Sequence, residues 1–155
     1  MATGRVQTPL GWVGVVVRDG VLCRLTFDDV GEAASDDESG ASEVIARLSA
    51  YFGGDIHALH GIPTAAPGTP FQQRVWALLR TIPVGKTWSY TDLAIAAGDP
   101  AATRAVATAN AKNPVGIVVP CHRVIGAGGE LRGYAGGVER KRWLLRHEGA
   151  IQTLF

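Results

Sequence analysis

The chain has 155 residues, 46% of them apolar and 19% charged, with 20 glycines and 8 prolines. That is enough apolar surface to close a core, which excludes disorder over the whole length and fits one ordinary domain or two small ones. No apolar run approaches the roughly 18 residues of a membrane helix, and residues 1–10 lack the apolar centre of a signal peptide, so the expectation is a cytoplasmic protein without a membrane contact. The formal net charge of +1 hides an asymmetry. Residues 1–68 hold 4 Lys/Arg against 9 Asp/Glu, net −5, while residues 69–155 hold 11 against 5, net +6. An acidic half joined to a basic half suggests two modules, the basic one suited to a polyanionic partner. Cys23 and Cys121 lie far apart and read as reduced thiols.

The first module reads as a small α/β unit. Runs 11–17 and 21–27 are apolar and β-branched, and Arg18-Asp19-Gly20 between them is a hairpin signal, because Asp and Gly tolerate positive φ. Residues 28–42 are acidic, rich in Gly and Ser, and without periodicity, which predicts a solvated loop. Residues 43–52 place Val44, Leu48, Tyr51 and Phe52 at helical spacing, and Gly53-Gly54 ends that helix. The Pro- and Gly-rich stretch 61–70 marks the boundary, giving domains 1–68 and 69–155.

The second module opens on a helix with Pro70 in its first turn and an apolar stripe of Phe71, Val75, Leu78, Leu79 and Ile82, stopped by Pro83 and Gly85. Ser89 caps a second helix over 90–97, ended by Gly98. Asp99 as cap and Pro100 at the first helical position start a third, running towards Lys112. Two short helices around a turn of about three residues containing Gly make a helix-turn-helix. The third helix is alanine-rich, with Arg104 and Lys112 as its charges. It lacks the Arg, Asn and Gln set of a major-groove reader, so it fits shape or minor-groove contact better than base-specific readout. Residues 117–119 predict a buried strand leading to Cys121, and the glycine-rich stretch 126–137 a loop. A last helix over 140–147 turns Trp143, Leu144 and Leu145 inward, with Glu148 at its end.

Cys121 is the strong nucleophile of the basic module. A buried thiol is commonly a small hydrophobe, but His122 adjoins this one, Glu148 is available to orient that histidine, and the following loop is too rich in glycine for a core element. On an extended backbone neighbouring side chains point apart. Activation of Cys121 by His122 through an intervening water, with Glu148 holding the imidazole tautomer, therefore fits best. In the first module Cys23, His57 and His60 lack any close pairing and predict no metal site.

Asn113-Pro114, Pro120-Cys121-His122-Arg123-Val124, Gly133-Tyr134, and Lys141 with Leu144-Leu145 resemble the O6-alkylguanine-DNA alkyltransferases (methylated-DNA–protein-cysteine methyltransferases), with Ser89-Tyr90 and Arg104-Ala105-Val106 fitting the same pattern upstream. The resemblance covers residues 71–149; the acidic module is similar to the family's N-terminal domain only in layout. It implies an α/β (α+β) fold: a small sheet-plus-helix domain, then a mostly helical domain with a winged-helix-like helix-turn-helix. The implied activity is direct-reversal repair, a single transfer of the alkyl group from O6-alkylguanine, with O4-alkylthymine as a further substrate, onto Cys121. His122 is then the base acting through water, Glu148 the carboxylate behind it, Tyr90 the phenol that serves the leaving guanine, and Asn113 the brace of the active-site turn. Val124, Tyr134, Ala135 and Gly136 line the guanine pocket. Arg104 fills the duplex when the nucleotide rotates out, and Tyr90, Thr91, Ala105, Lys112 and Ala127 meet DNA. The implied protein is a free monomer without cofactor, binding double-stranded DNA with little sequence preference.

The leaving group is a guanine anion, poor unless it gains a proton or hydrogen bond. The O6 carbon of a stacked base is out of reach, so the nucleotide must be extruded at a cost of a few kcal/mol. The product is a thioether, and each molecule acts once. Two positions depart from some relatives: Ala135 replaces serine and Gly116 replaces proline, the second altering the pocket wall. A cysteine hydrolase would draw its base from a distant segment. A helix-turn-helix regulator, or a damage sensor without transfer, would require the Cys121 segment to be merely structural.

Overall fold

The computed structural model describes residues 2–28 and 40–151. The chain divides into two compact units, Met1–Pro67 with Pro114–Val118, and Gly68–Asn113 with Val119–Phe155. Among the described residues no helix is long and apolar enough to cross a membrane.

The first unit is an antiparallel sheet of β1 (Ala2–Thr8), β2 (Gly11–Arg18) and β3 (Val21–Phe27), in the order β1-β2-β3, with helix α1 (Ala41–Phe52) packed on it. Asp19 and Gly20 both take positive φ, 51° and 78°, as the two-residue β2–β3 turn demands. Strand β1 has no counterpart in the sequence reading. Its inward residues include Ala2 and Gly4, too small to give an alternating apolar pattern, yet Ala2 is fully buried and a Cβ at Gly4 would lie 3.0 Å from the Ile45 side chain. In β3 the pairing steps from Arg24 to Leu22 opposite Val16 and Val17, so Cys23 is the extra residue of a bulge. That bulge lets Leu22 and Leu25, three apart, both face the core. Of the loop expected over 28–42, residues 29–39 lie outside the described residues, and Ala41 and Ser42 already belong to α1.

Residues 117–119 do not form the expected strand. They turn: Ile117 has φ 71°, the Val118 N–H donates to the Gly116 carbonyl, and the extended contact falls earlier, where Val115 bridges Leu25. The run is apolar because it is buried, and burial alone does not distinguish a strand from a compact turn.

In the second unit, α2 (Pro70–Leu79) starts at a capping box formed by Thr69 and Gln72, and the Trp76 indole N–H donates to the Ala109 carbonyl. Strand β4 (Trp88–Ser89) runs into α3 (Tyr90–Ala96) through a second capping box, Ser89 with Asp92. Helix α4 (Thr103–Ala111) begins later than expected, so residues 97–102 join the pair. Asp99 does not cap it. Its carboxylate accepts from Ala101 N–H and its carbonyl from Ala102 N–H, closing a local turn around Pro100 instead. A 3-10 turn, Cys121–Arg123, leads into β5 (Val124–Ile125), which pairs in parallel with β4. Helix α5 (Val138–His147) buries Lys141, Leu144 and Leu145, while Trp143, expected inward, is half-buried and stacks on His147.

Candidate active site

The 3-10 turn decides the site. It replaces the extended backbone expected at Cys121 and His122, and it places three consecutive side chains, Cys121, His122 and Arg123, in the interior. The turn is held by its surroundings. Cys121 N–H donates to the Val119 carbonyl at 2.8 Å, Asn113 Nδ2 to that same carbonyl at 2.8 Å, and Asn110 Nδ2 to the Cys121 carbonyl at 3.3 Å. Both asparagines come from α4 and its end, so the helix-turn-helix and the cysteine turn are mechanically joined.

Glu148 caps the C-terminus of α5 and is almost fully buried. It holds two cations or potential cations at once. His122 Nε2 lies 2.8 Å from its Oε2, while Arg123 donates from Nε to Oε1 at 2.8 Å and from Nη2 to Oε2 at 3.1 Å. Arg123 Nη1 also donates to the Ile82 carbonyl at 2.8 Å. Burial works to raise the Glu148 carboxyl, but His122 and Arg123 hold it well below the usual carboxylate range. With Glu148 ionised, Nε2 of His122 is the nitrogen that carries the proton. Nδ1 is then a lone-pair acceptor, and it is buried with no protein partner among the described residues. Burial pushes the His122 imidazole down, against the pull of Glu148, so it is neutral near pH 7 and able to accept a proton.

The thiol itself is buried, and burial pushes Cys121 up; an Asn113 hydrogen bond and the Lys141 cation oppose that without reversing it. The resting sulfur is therefore a thiol that needs a base. Lys141 is fully buried and donates from Nζ to the Val124 carbonyl at 2.6 Å and to the Arg132 carbonyl at 2.7 Å. Burial lowers its pKa to about 8.

Tyr90, the first residue of α3, donates its hydroxyl to the Arg132 carbonyl at 3.0 Å. Burial raises its pKa, with Arg132 opposing and Cys121 adding to the rise, so the phenol keeps its proton. The Tyr134 ring meets His122 edge-on at 6.4 Å between centroids. Val124 is fully buried in β5, whereas Ala135 is exposed and the Gly136 carbonyl accepts from Arg140. Of the expected DNA contacts, Arg104, Thr91, Ala105 and Lys112 are exposed on α3, α4 and its end, and Ala127 sits in an exposed turn.

Cys121, His122, Glu148, Asn113, Tyr90 and Tyr134 are thus brought into one polar cluster. Arg123, Lys141 and Asn110 belong to it as well and received no role from the sequence. The available signal was a charge inside an apolar frame: Arg123 between His122 and Val124, and Lys141 three residues before Leu144. The other candidate set does not assemble. Cys23 donates to the carbonyl of Val21, two residues back, and among the described residues no three His, Cys, Asp or Glu side chains gather as a metal site.

A helix-turn-helix carrying a buried cysteine beside a His–Glu pair defines a class of DNA-binding protein with a nucleophilic centre. The chain belongs to the methylated-DNA–protein-cysteine methyltransferase family. Residues 70–150 match the family model for the DNA-binding domain of 6-O-methylguanine DNA methyltransferase. The chain is 57% identical to the methylated-DNA–protein-cysteine methyltransferase of Shigella flexneri over 105 residues, 68% of this chain but only 61% of that protein's length. It is 42% identical to the enzyme of the same name from Mycolicibacterium paratuberculosis over 97% of this chain and 96% of that one. Among solved structures, Mycobacterium tuberculosis OGT in complex with DNA superposes with a TM-score of 0.85 at 41% identity, covering 96% of this chain and 92% of that one.

Proposed function

We propose that this protein repairs alkylated duplex DNA by direct reversal, taking the alkyl group from O6-alkylguanine, and from O4-alkylthymine, onto Cys121 once per molecule. The observation that carries the reading is the buried Nδ1 of His122, without a partner among the described residues, behind which Nε2 is fixed to Glu148 at 2.8 Å. That is the arrangement of a base awaiting a proton from a thiol that cannot ionise alone. The Cys121 proton passes to Nδ1 through one water, and the imidazolium so formed is stabilised by Glu148. The sulfur lone pair then attacks the alkyl carbon, the carbon–O6 bond breaks, and the guanine takes up a proton. Tyr90 supplies that proton or hydrogen bond by trading its Arg132 carbonyl for the base. Asn113 braces the turn, while Val124, Tyr134, Ala135 and Gly136 shape the guanine pocket.

The DNA-binding role falls to the second unit, the basic half of the chain. Arg104, exposed on α4, enters the duplex and fills the gap left by the extruded nucleotide, and Tyr90, Thr91, Ala105, Lys112 and Ala127 contact the backbone. Such binding has little sequence preference and weakens with salt. The protein acts in the cytoplasm, as a monomer when free and with no cofactor.

The test is to incubate the protein with a duplex carrying O6-[methyl-labelled]guanine and to find label on Cys121 by peptide mass spectrometry. A helix-turn-helix regulator or a damage sensor without transfer would bind the duplex and carry no label. Arg104→Ala is expected to lose reaction with duplex far more than reaction with free O6-benzylguanine, and equal losses would refute its role in the duplex.

A further inference from the structure

Beside the thiol cluster lies an open cavity of about 510 Å³ lined by Tyr90, Thr103, Arg104, Ala107, Arg132 and Gly133. It shares the Tyr90 wall with the cluster, yet neither Cys121, Val124 nor Tyr134 lines it. The space therefore lies outside the pocket proposed for the alkylated base. Two guanidiniums border it, and neither Arg104 nor Arg132 pairs with a carboxylate among the described residues. Arg132 is tied to the site at its backbone: its carbonyl accepts from both the Tyr90 hydroxyl and Lys141 Nζ, and its guanidinium stands 5.9 Å from the Tyr90 ring centroid. The neighbouring Gly133 lets this segment press against Tyr90, since a Cβ there would lie 2.9 Å from the phenolic oxygen.

We propose that this cavity seats a backbone phosphate flanking the extruded nucleotide and that Arg132 binds it. The inference rests on the base-extruding reading above and deepens it. Turning a nucleotide out of the stack rotates its phosphodiester, and the turned state is held only if that anion finds a fixed partner. A guanidinium with no carboxylate partner among the described residues, whose own backbone carbonyl is pinned by two hydrogen bonds and which stands near an aromatic ring, is such a partner and matches a phosphate in a bidentate way. Arg104, which also lines the cavity, is assigned to the duplex gap, which leaves Arg132 for the phosphate.

The experiment compares Arg132→Ala and Arg132→Lys with the wild type. The readouts are the second-order rate of Cys121 alkylation by an O6-methylguanine duplex, by the same duplex with a neutral methylphosphonate next to the lesion on either side, and by free O6-benzylguanine. Arg132→Ala is expected to slow reaction with the native duplex about tenfold and to reduce the salt slope by about one. Arg132→Lys is expected to keep most of that slope. The wild type is expected to show a similar loss on one of the two neutral linkages, and Arg132→Ala no further loss there. Reaction with the free base, which has no phosphate, is expected to fall far less than the duplex reaction in both variants, since it registers only the loss of the guanidinium near Tyr90. Equal loss on duplex and free base, additive losses from the variant and the neutral linkage, or a full duplex rate in Arg132→Ala would each overturn the assignment. A wild type that accepts nothing from the free base or the duplex would instead overturn the transfer reading itself.

Discussion

The two cysteines occupy regions built in different ways. Cys23 is half-buried in the bulge of β3, and its sulfur meets a main-chain carbonyl. Cys121 is less accessible, yet the chain has gathered Asn113, Lys141, His122 and Glu148 around it from α4, α5 and the turn itself. The contrast teaches that access to solvent does not make a nucleophile here. In the sheet unit the thiol meets a main-chain carbonyl among the described residues, whereas the helical unit buries charged side chains and must pair them. The same pairing that makes those charges tolerable also fixes the orientation of the His122 ring.

The sharpest break of that comparison exchanges the thiols. Cys121→Ser is expected to abolish alkyl uptake completely, and Cys23→Ser to leave one alkyl group per molecule, both read by intact mass after excess lesion duplex. Uptake by Cys121→Ser would mean that the sheet cysteine is the acceptor.

Glu148→Gln attacks the pairing. It leaves the buried Arg123 without its counter-ion, and removing one partner of a buried pair costs about 3–5 kcal/mol, measurable by urea unfolding. The rate of Cys121 alkylation by free O6-benzylguanine is expected to fall by about 10²-fold or more as the base loses its carboxylate. The pH dependence follows the same groups. The Glu148 pKa is depressed in the folded protein, so its contribution is full above the ordinary carboxylate range and is lost only as pH drops through and below it. The His122 pKa is also depressed, so the alkylation rate should hold steady through neutral pH and decline only below the ordinary imidazole range. A decline centred above pH 7 would contradict a neutral resting His122.

Lys141→Met is expected to cost about 2 kcal/mol, because the Val124 and Arg132 carbonyls lose a buried donor that methionine cannot replace. Thermal or urea unfolding tests this, and a stabilised variant would show that the apolar stem outweighs the two hydrogen bonds.

What the sequence disclosed follows from the range of the interactions. The Asp19-Gly20 turn and the Ser89 cap are decided by residues within three positions, and their positions are legible. So are Cys121, His122 and Glu148, through a motif rather than through any periodicity. Strand β1 was not, because Ala2 and Gly4 fill its inner face by fitting against α1 and carry no apolar signal of their own. Asp99-Pro100 misled because an Asp side chain closes a turn as readily as it caps a helix. The burial of Arg123 and Lys141 depends on partners 9 to 41 residues away, at Arg132, Val124, Glu148 and Ile82, and no local pattern contains those distances.

The smallest expected effect closes the comparison from the sheet side. Cys23→Val should change stability by less than about 0.5 kcal/mol. The sulfur's single hydrogen bond reaches a carbonyl only two residues away, and at a half-buried bulge position a β-branched side chain suits the extended backbone as well as a thiol does. A loss of several kcal/mol in urea unfolding would show that the bulge needs a small, unbranched residue to let Leu22 and Leu25 share one face. The sheet thiol would then be a packing requirement of its own unit, and the contrast with Cys121 would be one of structural against chemical necessity rather than of a plain thiol against an equipped one.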